Sequence, residues 1–285
     1  MATDNGNEFK IFDCKLTQSE FQKLSSFIYD ELGIKLPDMK KVMLESRLQR
    51  RLRELGLTNF KDYIDYLFSK DGRQNEMVHM FDVVTTNKTD FFRENMHFEY
   101  MNQFILKEVA QKNSNFVNIW SAGCSSGEEP YTLTIVLSEA IEKGLISDFK
   151  ILATDISTRI LKMAIDAIYP LNRIEEIPLH LKKKYFLKSK DPLNKTARVV
   201  PQLRNKITFE RLNFMDDVYP VNQMFDIVFC RNVIIYFDHQ TQERVIGKLC
   251  SKLKTGGYLF LGHSESIAGM NLPLVNVKPT VFRKI

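Results

Sequence analysis

Residues 120–131, WSAGCSSGEEPY, stand between an apolar run and a stretch of helical spacing, and they hold two glycines, three serines and two adjacent carboxylates. A turn of this kind can hold a phosphate, a nucleotide or a metal, or simply turn a tight corner. Its flanks decide among these. Upstream, FVNIWSAG (116–123) reads as a buried strand; downstream, 128–143 reads as a helix with Pro130 in its first turn. Further along, FKILATDI, KITFERLN, FDIVFCRN and GGYLFLGH are apolar runs of strand length, and 158–167 and 240–254 carry helical spacing between them. Strands alternating with helices predict an α/β fold, a doubly wound Rossmann-like parallel sheet with helices on both faces. In such sheets ligands rest outside the carboxyl ends of the strands, and the quoted turn falls there.

Gly123 and Gly127 let the backbone bend sharply and approach a ligand closely. Their GxxxG spacing is not the GxGxxG dinucleotide fingerprint, and no Gly-Lys-Ser/Thr follows as in a P-loop. Glu128 and Glu129 stand where a phosphate binder needs bare amides or a lysine. Their charge repels pyrophosphate and suits an ammonium or another cation. S-adenosylmethionine, a cationic nucleoside without phosphates, fits these features; capping of the helix by an acid in its first turn is the simpler alternative. Asp155 ends the second strand, where an acid commonly accepts hydrogen bonds from both ribose hydroxyls. The alternative for Asp155, an N-cap for the helix from 158, falls equally to Ser157. Asn232 lies just past the fourth strand with Tyr236 a helical turn later, and LNF (212–214) closes the third strand.

Residues 16–82 have a helical period throughout. LTQSEFQKLSSFIYDELGI opens on a Thr17-x-x-Glu20 capping box, places Phe21, Leu24, Phe27, Ile28 and Leu32 at helical spacing, and stops at Gly33. MKKVMLESRLQRRLRELG predicts a second helix with Val42, Leu48, Leu52 and Leu55 along one side and Gly56 as its stop; NFKDYIDYLFS and EMVHMFDVV predict two more. The change of period divides the chain into an all-α N-terminal domain (13–84), a connecting segment (85–108) and the α/β domain (109–285). Residues 168–206, with four prolines and much charge, are too long for an ordinary connection. They read as an insertion, either a small antiparallel subdomain around KKYFLK and ARVVP or an irregular surface excursion.

The 285 residues are 44% hydrophobic and 26% charged, ordinary for a soluble globular chain. MATDNGNEFK lacks the apolar core of a signal peptide, and FDIVFCRNVIIYF, broken by Asp226 and Arg231, is too short to cross a bilayer. A cytoplasmic protein is expected. Cys14, Cys124, Cys230 and Cys250 form no CxxC pair and the five histidines lack zinc-ligand spacing, so isolated thiols and no metal are expected. A net charge of +5 fits weak attraction to an acidic partner without indicating nucleic acid.

In order along the chain, TTNKTDFFRE (85–94), SAGCSSGEEPY, ATDIS, an inserted segment, LNF, FCRNVIIYF and GGYLFLGHSES resemble the CheR-type chemotaxis-receptor methyltransferases, and the resemblance spans almost the whole chain. It implies a class I methyltransferase domain that uses S-adenosylmethionine to methylate glutamate side chains of membrane chemoreceptors as carboxyl methyl esters. It also implies site residues. Asn87, Thr89 and Arg93 line the cofactor pocket with Gly123 in its turn, and one or both of Glu128 and Glu129 hold the methionine amino end. Asp155 binds the ribose, Asn213 and Phe214 flank the adenine, and Asn232 and Val233 contact the cofactor. Composition alone makes 85–94 a polar connection. In some family members the inserted subdomain binds a peptide at the receptor's C-terminus; the lysine-rich KKKYF stretch leaves that open here.

The implied chemistry is economical. A glutamate carboxylate is already ionised at neutral pH, so attack on a sulfonium methyl needs alignment and exclusion of water rather than a general base. Arg93 is the candidate to hold the incoming carboxylate and Tyr236 to orient it or border the methyl. The basic helix SRLQRRLRELG carries Arg47, Arg50, Arg51 and Arg53, which could dock glutamate-rich receptor methylation helices, or could be a solvated face; Arg47 and Arg51 face the same way. The expected protein is a monomer recruited to membrane receptor arrays, without membrane insertion and without nucleic acid. Two rivals stand beside this reading. A base methyltransferase would carry an Asp/Asn-Pro-Pro-aromatic loop or a Pro-Cys pair, and DPLN (191–194) lacks the second proline and the aromatic. A non-catalytic module would keep the pocket only to sense the cofactor or dock to receptors.

Overall fold

A computed structural model describes residues 14–111 and 115–285; the reading of MATDNGNEFK lies outside the described residues. The chain forms two compact units, one of the residues up to Glu31 with Lys35–Thr85, the other of Leu32–Ile34 with Thr86–Ile285. Among the described residues no helix is long and apolar enough to cross a membrane, and all four cysteines are unbridged.

The first unit holds α1 (Gln18–Leu32), α2 (Lys41–Leu55), α3 (Phe60–Phe68), α4 (Lys70–Asn75) and α5 (Met77–Val84). The capping box forms as read: Thr17 N donates to Glu20 Oε2 at 2.8 Å and Glu20 N to Thr17 Oγ1 at 3.2 Å. All five apolar positions read along α1 are buried. The reading of α2 needs correction. Its buried face is Leu44, Leu48, Arg51 and Leu52, whereas Val42 is 73% exposed. Leu44, Leu48 and Leu52 follow each other at four-residue steps, and Val42 falls off that stripe.

The second unit begins with α6 (Met96–Tyr100) and α7 (Leu106–Ala110), joined by a π-helical turn over Met101–Ile105. This helical stretch lies in what reads from sequence as connecting chain. Its strands are β1 (Phe116–Ala122), β2 (Asp148–Asp155), β3 (Ile168–Pro170), β4 (Phe186–Lys188), β5 (Thr196–Val199), β6 (Ile207–Arg211), β7 (Phe225–Cys230), β8 (Leu253–Leu261), β9 (Leu274–Lys278) and β10 (Val281–Lys284). The remaining helices are α8 (Glu128–Glu142), α9 (Thr158–Asp166), α10 (Leu179–Tyr185), α11 (Pro201–Arg204) and α12 (His239–Lys252).

Seven strands make the main sheet in the order β6-β2-β1-β7-β8-β10-β9. The five strands read from sequence pair in parallel, and β10 runs antiparallel to both β8 and β9. The sheet is therefore mixed at one edge. The β9–β10 hairpin escapes a search for buried apolar runs because β9 is largely exposed.

Side chains alternate between the faces of the central strands. Trp120, Val228, Cys230 and Leu259 pack with Val245, Ile246 and Leu249 of α12. Ile119, Ile227, Phe229 and Phe260 pack with Leu133 and Leu137 of α8 and with Phe98, Ile105 and Leu106. Each fully buried large apolar side chain contributes roughly 1.5–3 kcal/mol, so the two cores hold the strand ends in fixed register. The insertion is ordered: β3, β5 and β4 form an antiparallel sheet, packed through Tyr169, Ile174 and Phe186 on Tyr131 and Ile135 of α8 and on Phe91. DPLN sits in the exposed β4–β5 connection, with Leu193 92% exposed.

Candidate functional site

The carboxyl ends of β1, β2, β6 and β7 deliver the turn, Asp155, Asn213–Phe214 and Asn232–Val233 to one end of the sheet. Gly123 (φ 85°) and Gly127 (φ 97°) adopt the left-handed conformation, and a Cβ on Gly123 would lie 2.4 Å from Val233 Cγ2. Only glycine lets the β1 turn approach Val233 this closely. The non-glycine residues with positive φ include Phe92, Glu94, Ser125 and Asn232, all in these loops. Such conformations cost on the order of 1–3 kcal/mol each and persist where surrounding contacts over-determine them.

Those contacts are specific. Asp155 accepts from the backbone amide of Ser125 on Oδ2 (2.9 Å) and of Ser157 on Oδ1 (3.0 Å). The N-cap of α9 is Ser157, whose Oγ accepts from Ile160 N at 3.2 Å, so Asp155 is not spent on capping. The paired acids part company. Glu128 is buried, accepts from Ser126 Oγ at 2.6 Å and is ion-paired with Arg173. Glu129 accepts from Ser121 Oγ at 2.7 Å and from Arg231 Nη1 at 3.2 Å. Burial pushes the Glu129 carboxyl up, against the opposing pull of Arg231 and Ser121.

Arg231 is the hub. Its guanidinium also reaches Glu94 Oε2 at 3.0 Å, donates to the Arg93 carbonyl and lies over the Phe98 ring, 5.4 Å from its centroid. Burial alone would raise the Glu94 carboxyl, but the charge and hydrogen bonds of Arg231 outweigh it and hold Glu94 below the usual carboxylate value. Asn232 Nδ2 donates to Glu94 Oε1 at 3.3 Å. Behind this loop, Glu265 accepts from four backbone amides: Asn232 (2.9 Å), Val233 (2.8 Å), Ile234 (2.9 Å) and Gly262 (2.6 Å). Burial pushes its carboxyl up while the four amides favour the ionised form.

The 85–94 segment joins the same end. The Asn87 carbonyl accepts from Ser125 Oγ at 3.0 Å, the carbonyl of buried Thr89 accepts from Arg173 Nη2 at 2.5 Å, and Phe92 N donates to Thr132 Oγ1 at 3.1 Å. Arg93 is half-buried, with Nη1 3.0 Å from the Lys88 carbonyl. Asn213 accepts from Met215 N at 3.0 Å, and half-buried Phe214 sits edge-on to Tyr219 and Phe237. Tyr236 ends a short 3-10 turn (Ile234–Tyr236) that follows Asn232–Val233.

The four arginines of α2 divide. Arg51 is buried and doubly bonded to Glu76, and Arg47 donates to the Val84 carbonyl; the shared direction of these two side chains is inward. Arg51 is thus an internal ion-pair member and not part of a docking face. Arg50 (61% exposed) and exposed Arg53 face solvent.

Sequence reasoning passed over Arg173, Arg231, Glu94 and Glu265. Arg231 left a legible signal: a charge closing an apolar strand, which needs partners when buried.

Comparison with known proteins agrees with this architecture. The description "CheR methyltransferase, SAM binding domain" matches residues 87–282, and "CheR methyltransferase, all-alpha domain" matches 19–85. The chain is 40% identical to the chemotaxis protein methyltransferase of Borreliella burgdorferi, covering 98% of this chain and 99% of that protein. It is 37% identical to chemotaxis protein methyltransferase 2 of Pseudomonas aeruginosa, covering 93% of each. It is 36% identical to the chemotaxis protein methyltransferase of Escherichia coli, covering 89% of this chain and 86% of that protein. With both domain descriptions matched in order and relatives aligned over nearly the full length, the chain belongs to the CheR methyltransferase family.

Proposed function

We propose that the chain transfers a methyl group from S-adenosylmethionine to glutamate carboxylates of chemoreceptors, forming glutamyl methyl esters in chemotactic adaptation. The observation that carries this reading is the donor set at the strand ends. Arg173 and Arg231, the two arginines beside the turn, are committed to carboxylates, and Glu129 is a largely buried acid with only a share in Arg231. A cation placed beside Glu129 supplies the compensation that burial withholds. This suits a ligand with ammonium and sulfonium groups and disfavours a phosphate.

The residues present fit that cofactor. Glu129 would hold the amino end in preference to Glu128, because its side chain is 13% exposed against 2% and is not closed off by Arg173. Asp155 would take the ribose, Asn213 and Phe214 would flank the adenine, and Gly123, Asn232 and Val233 would form the central wall. Asn87, Thr89 and Arg93 would line the pocket from the connecting segment. When bound, the cofactor supplies an activated methyl on a positively charged sulfur. The chain's own task is then orientation and dryness: Arg93 pairs the incoming carboxylate, Tyr236 orients it, and no residue need remove a proton.

For docking, Arg50 and Arg53 remain on the solvent side of α2 with acidic receptor helices as partner. The enzyme would work as a cytoplasmic monomer at membrane receptor arrays, without a bound nucleic acid. Incubation with methyl-labelled cofactor and receptor-bearing membranes tests the reading. Label on the receptor that base releases as methanol supports it. Base-stable label, label on nucleic acid, or no transfer overturns it.

A further inference from the structure

We propose that Glu94, His97 and His263 form a site for a borderline divalent transition-metal ion such as Zn²⁺, at the end of β8. The expectation of no metal rests on spacing along the chain, and these residues are brought together only by the fold. One ligand atom from each lies within 4.8 Å of the others. His97 Nδ1 is 3.6 Å and His263 Nε2 3.8 Å from Glu94 Oε2. Tetrahedral zinc with bonds of about 2.0–2.1 Å needs ligand atoms roughly 3.3–3.5 Å apart, so the set closes with small movements. His263, 55% exposed, can make the larger one.

The second observation is the buried His97 ring. Its Nδ1 has no hydrogen-bond partner among the described residues. The Thr280 hydroxyl lies 2.7 Å from the Pro279 carbonyl and 2.9 Å from His97 Nε2. With its hydrogen on the carbonyl it accepts from Nε2–H, and in that tautomer Nδ1 presents a bare lone pair toward a carboxylate oxygen. Two lone pairs facing each other in a buried place repel, and a cation between them converts the repulsion into two bonds. The Nε2–Thr280 hydrogen bond is the outer-shell contact that a metal-binding imidazole usually makes. Glu94 Oε1 is steadied in the same way by Asn232 Nδ2 (3.3 Å) and His263 N (3.4 Å).

The surroundings hold both signs: Arg231 and Lys278 oppose a positive ion at His97, and Glu94 favours one. Arg231 also contacts Glu94 Oε2, but it is shared with Glu129, so two carboxylates face one guanidinium. His97 and His263 line a recess of about 270 Å³ with Met96, Tyr100 and Lys278. Two imidazoles and one carboxylate select Zn²⁺, Ni²⁺ or Cu²⁺ over Mg²⁺ or Ca²⁺. Occupancy would tie the loop after β8 to α6 and the Arg93–Glu94 turn, whatever reaction the neighbouring pocket performs.

Titration of the full chain with Co²⁺, followed by visible absorption and displaced by Zn²⁺, tests the site without any activity readout. One-to-one binding is expected, weakened at least about tenfold by His263→Gln and by His97→Gln, a scale on which even outer-shell partners act. His263→Gln changes an exposed side chain, so its result stands even where His97→Gln misfolds. Absence of a one-to-one site, or one-to-one binding that His263→Gln leaves unchanged, overturns the assignment.

Discussion

Two buried arginines do opposite things in the two units. In the helical unit Arg51 meets the buried Glu76 fork to fork, Nε to Oε1 at 2.8 Å and Nη2 to Oε2 at 2.6 Å, with the Tyr63 hydroxyl donating to the same Oε1 at 3.0 Å, and its Nη1 bonds the half-exposed Glu54. The hydrogen bond to Glu76 raises the Arg51 pKa above its ordinary value, against the cost of burial. In the α/β unit Arg231 is divided between Glu94, Glu129 and a carbonyl. A pair that closes on itself fixes packing. Glu54 is 41% exposed and is compensated by water, whereas a cation shared by two largely buried acids, Glu94 and Glu129, leaves one of them short, and that shortfall is what a ligand can use.

The contrast can be broken by experiment, most sharply at Arg51. Arg51→Ala leaves Glu76 buried and uncompensated, which costs about 3–5 kcal/mol of stability. Denaturant unfolding should show this loss while cofactor affinity, measured on the folded protein, stays put. An unchanged midpoint would mean that Arg51 does not lock the helices. At the other arginine-bearing turn, Arg93→Ala should lower kcat by roughly ten- to a hundredfold, in line with a charge-assisted hydrogen bond of about 1.5–3 kcal/mol, with cofactor Kd little changed. Lost cofactor binding would instead confine Arg93 to holding the cofactor and remove it from the incoming carboxylate. Glu129→Gln should weaken cofactor binding by roughly tenfold in calorimetry, whereas Glu128→Gln, which loosens Arg173, should show chiefly in thermal stability. Equal effects on Kd would erase the distinction between the two acids. The smallest effect belongs to the surface. Replacing Arg50 and Arg53 together by Ala should reduce receptor affinity a few-fold at low salt and flatten its salt dependence, since exposed charges contribute at most about 1 kcal/mol each. Unaltered salt dependence would remove α2 from the docking face.

Much of the fold is written locally. Parallel strands buried on both faces are continuous apolar runs, so FKILATDI and FDIVFCRN announce themselves, and the Thr17–Glu20 box fixes the start of α1 within a single turn. The β9–β10 hairpin was hidden because LVNVK packs little apolar surface. Val42 misled because a helix of 15 residues offers more than one apolar line until its neighbours are known. The turn, Asp155 and Asn232 could be singled out because each follows a strand end. Glu265 could not, because its partners are backbone amides, which carry no sequence signature. Arg231 and Glu94 are 137 residues apart, and only the sheet order brings them together.

Consecutive amides of Asn232, Val233 and Ile234, joined by Gly262, would make a ready anion receptor at the mouth of β7 and β8. Glu265 already fills it. The chain carries its own resident anion there, and Gly262 has no room for a side chain: a Cβ would stand 2.4 Å from Asn232 Nδ2. On the proposed function, an arriving carboxylate would find this backbone cradle taken, and its capture would pass to side chains at the rim. Selectivity among acidic acceptors would then rest with groups that substitution can retune without disturbing the strand ends.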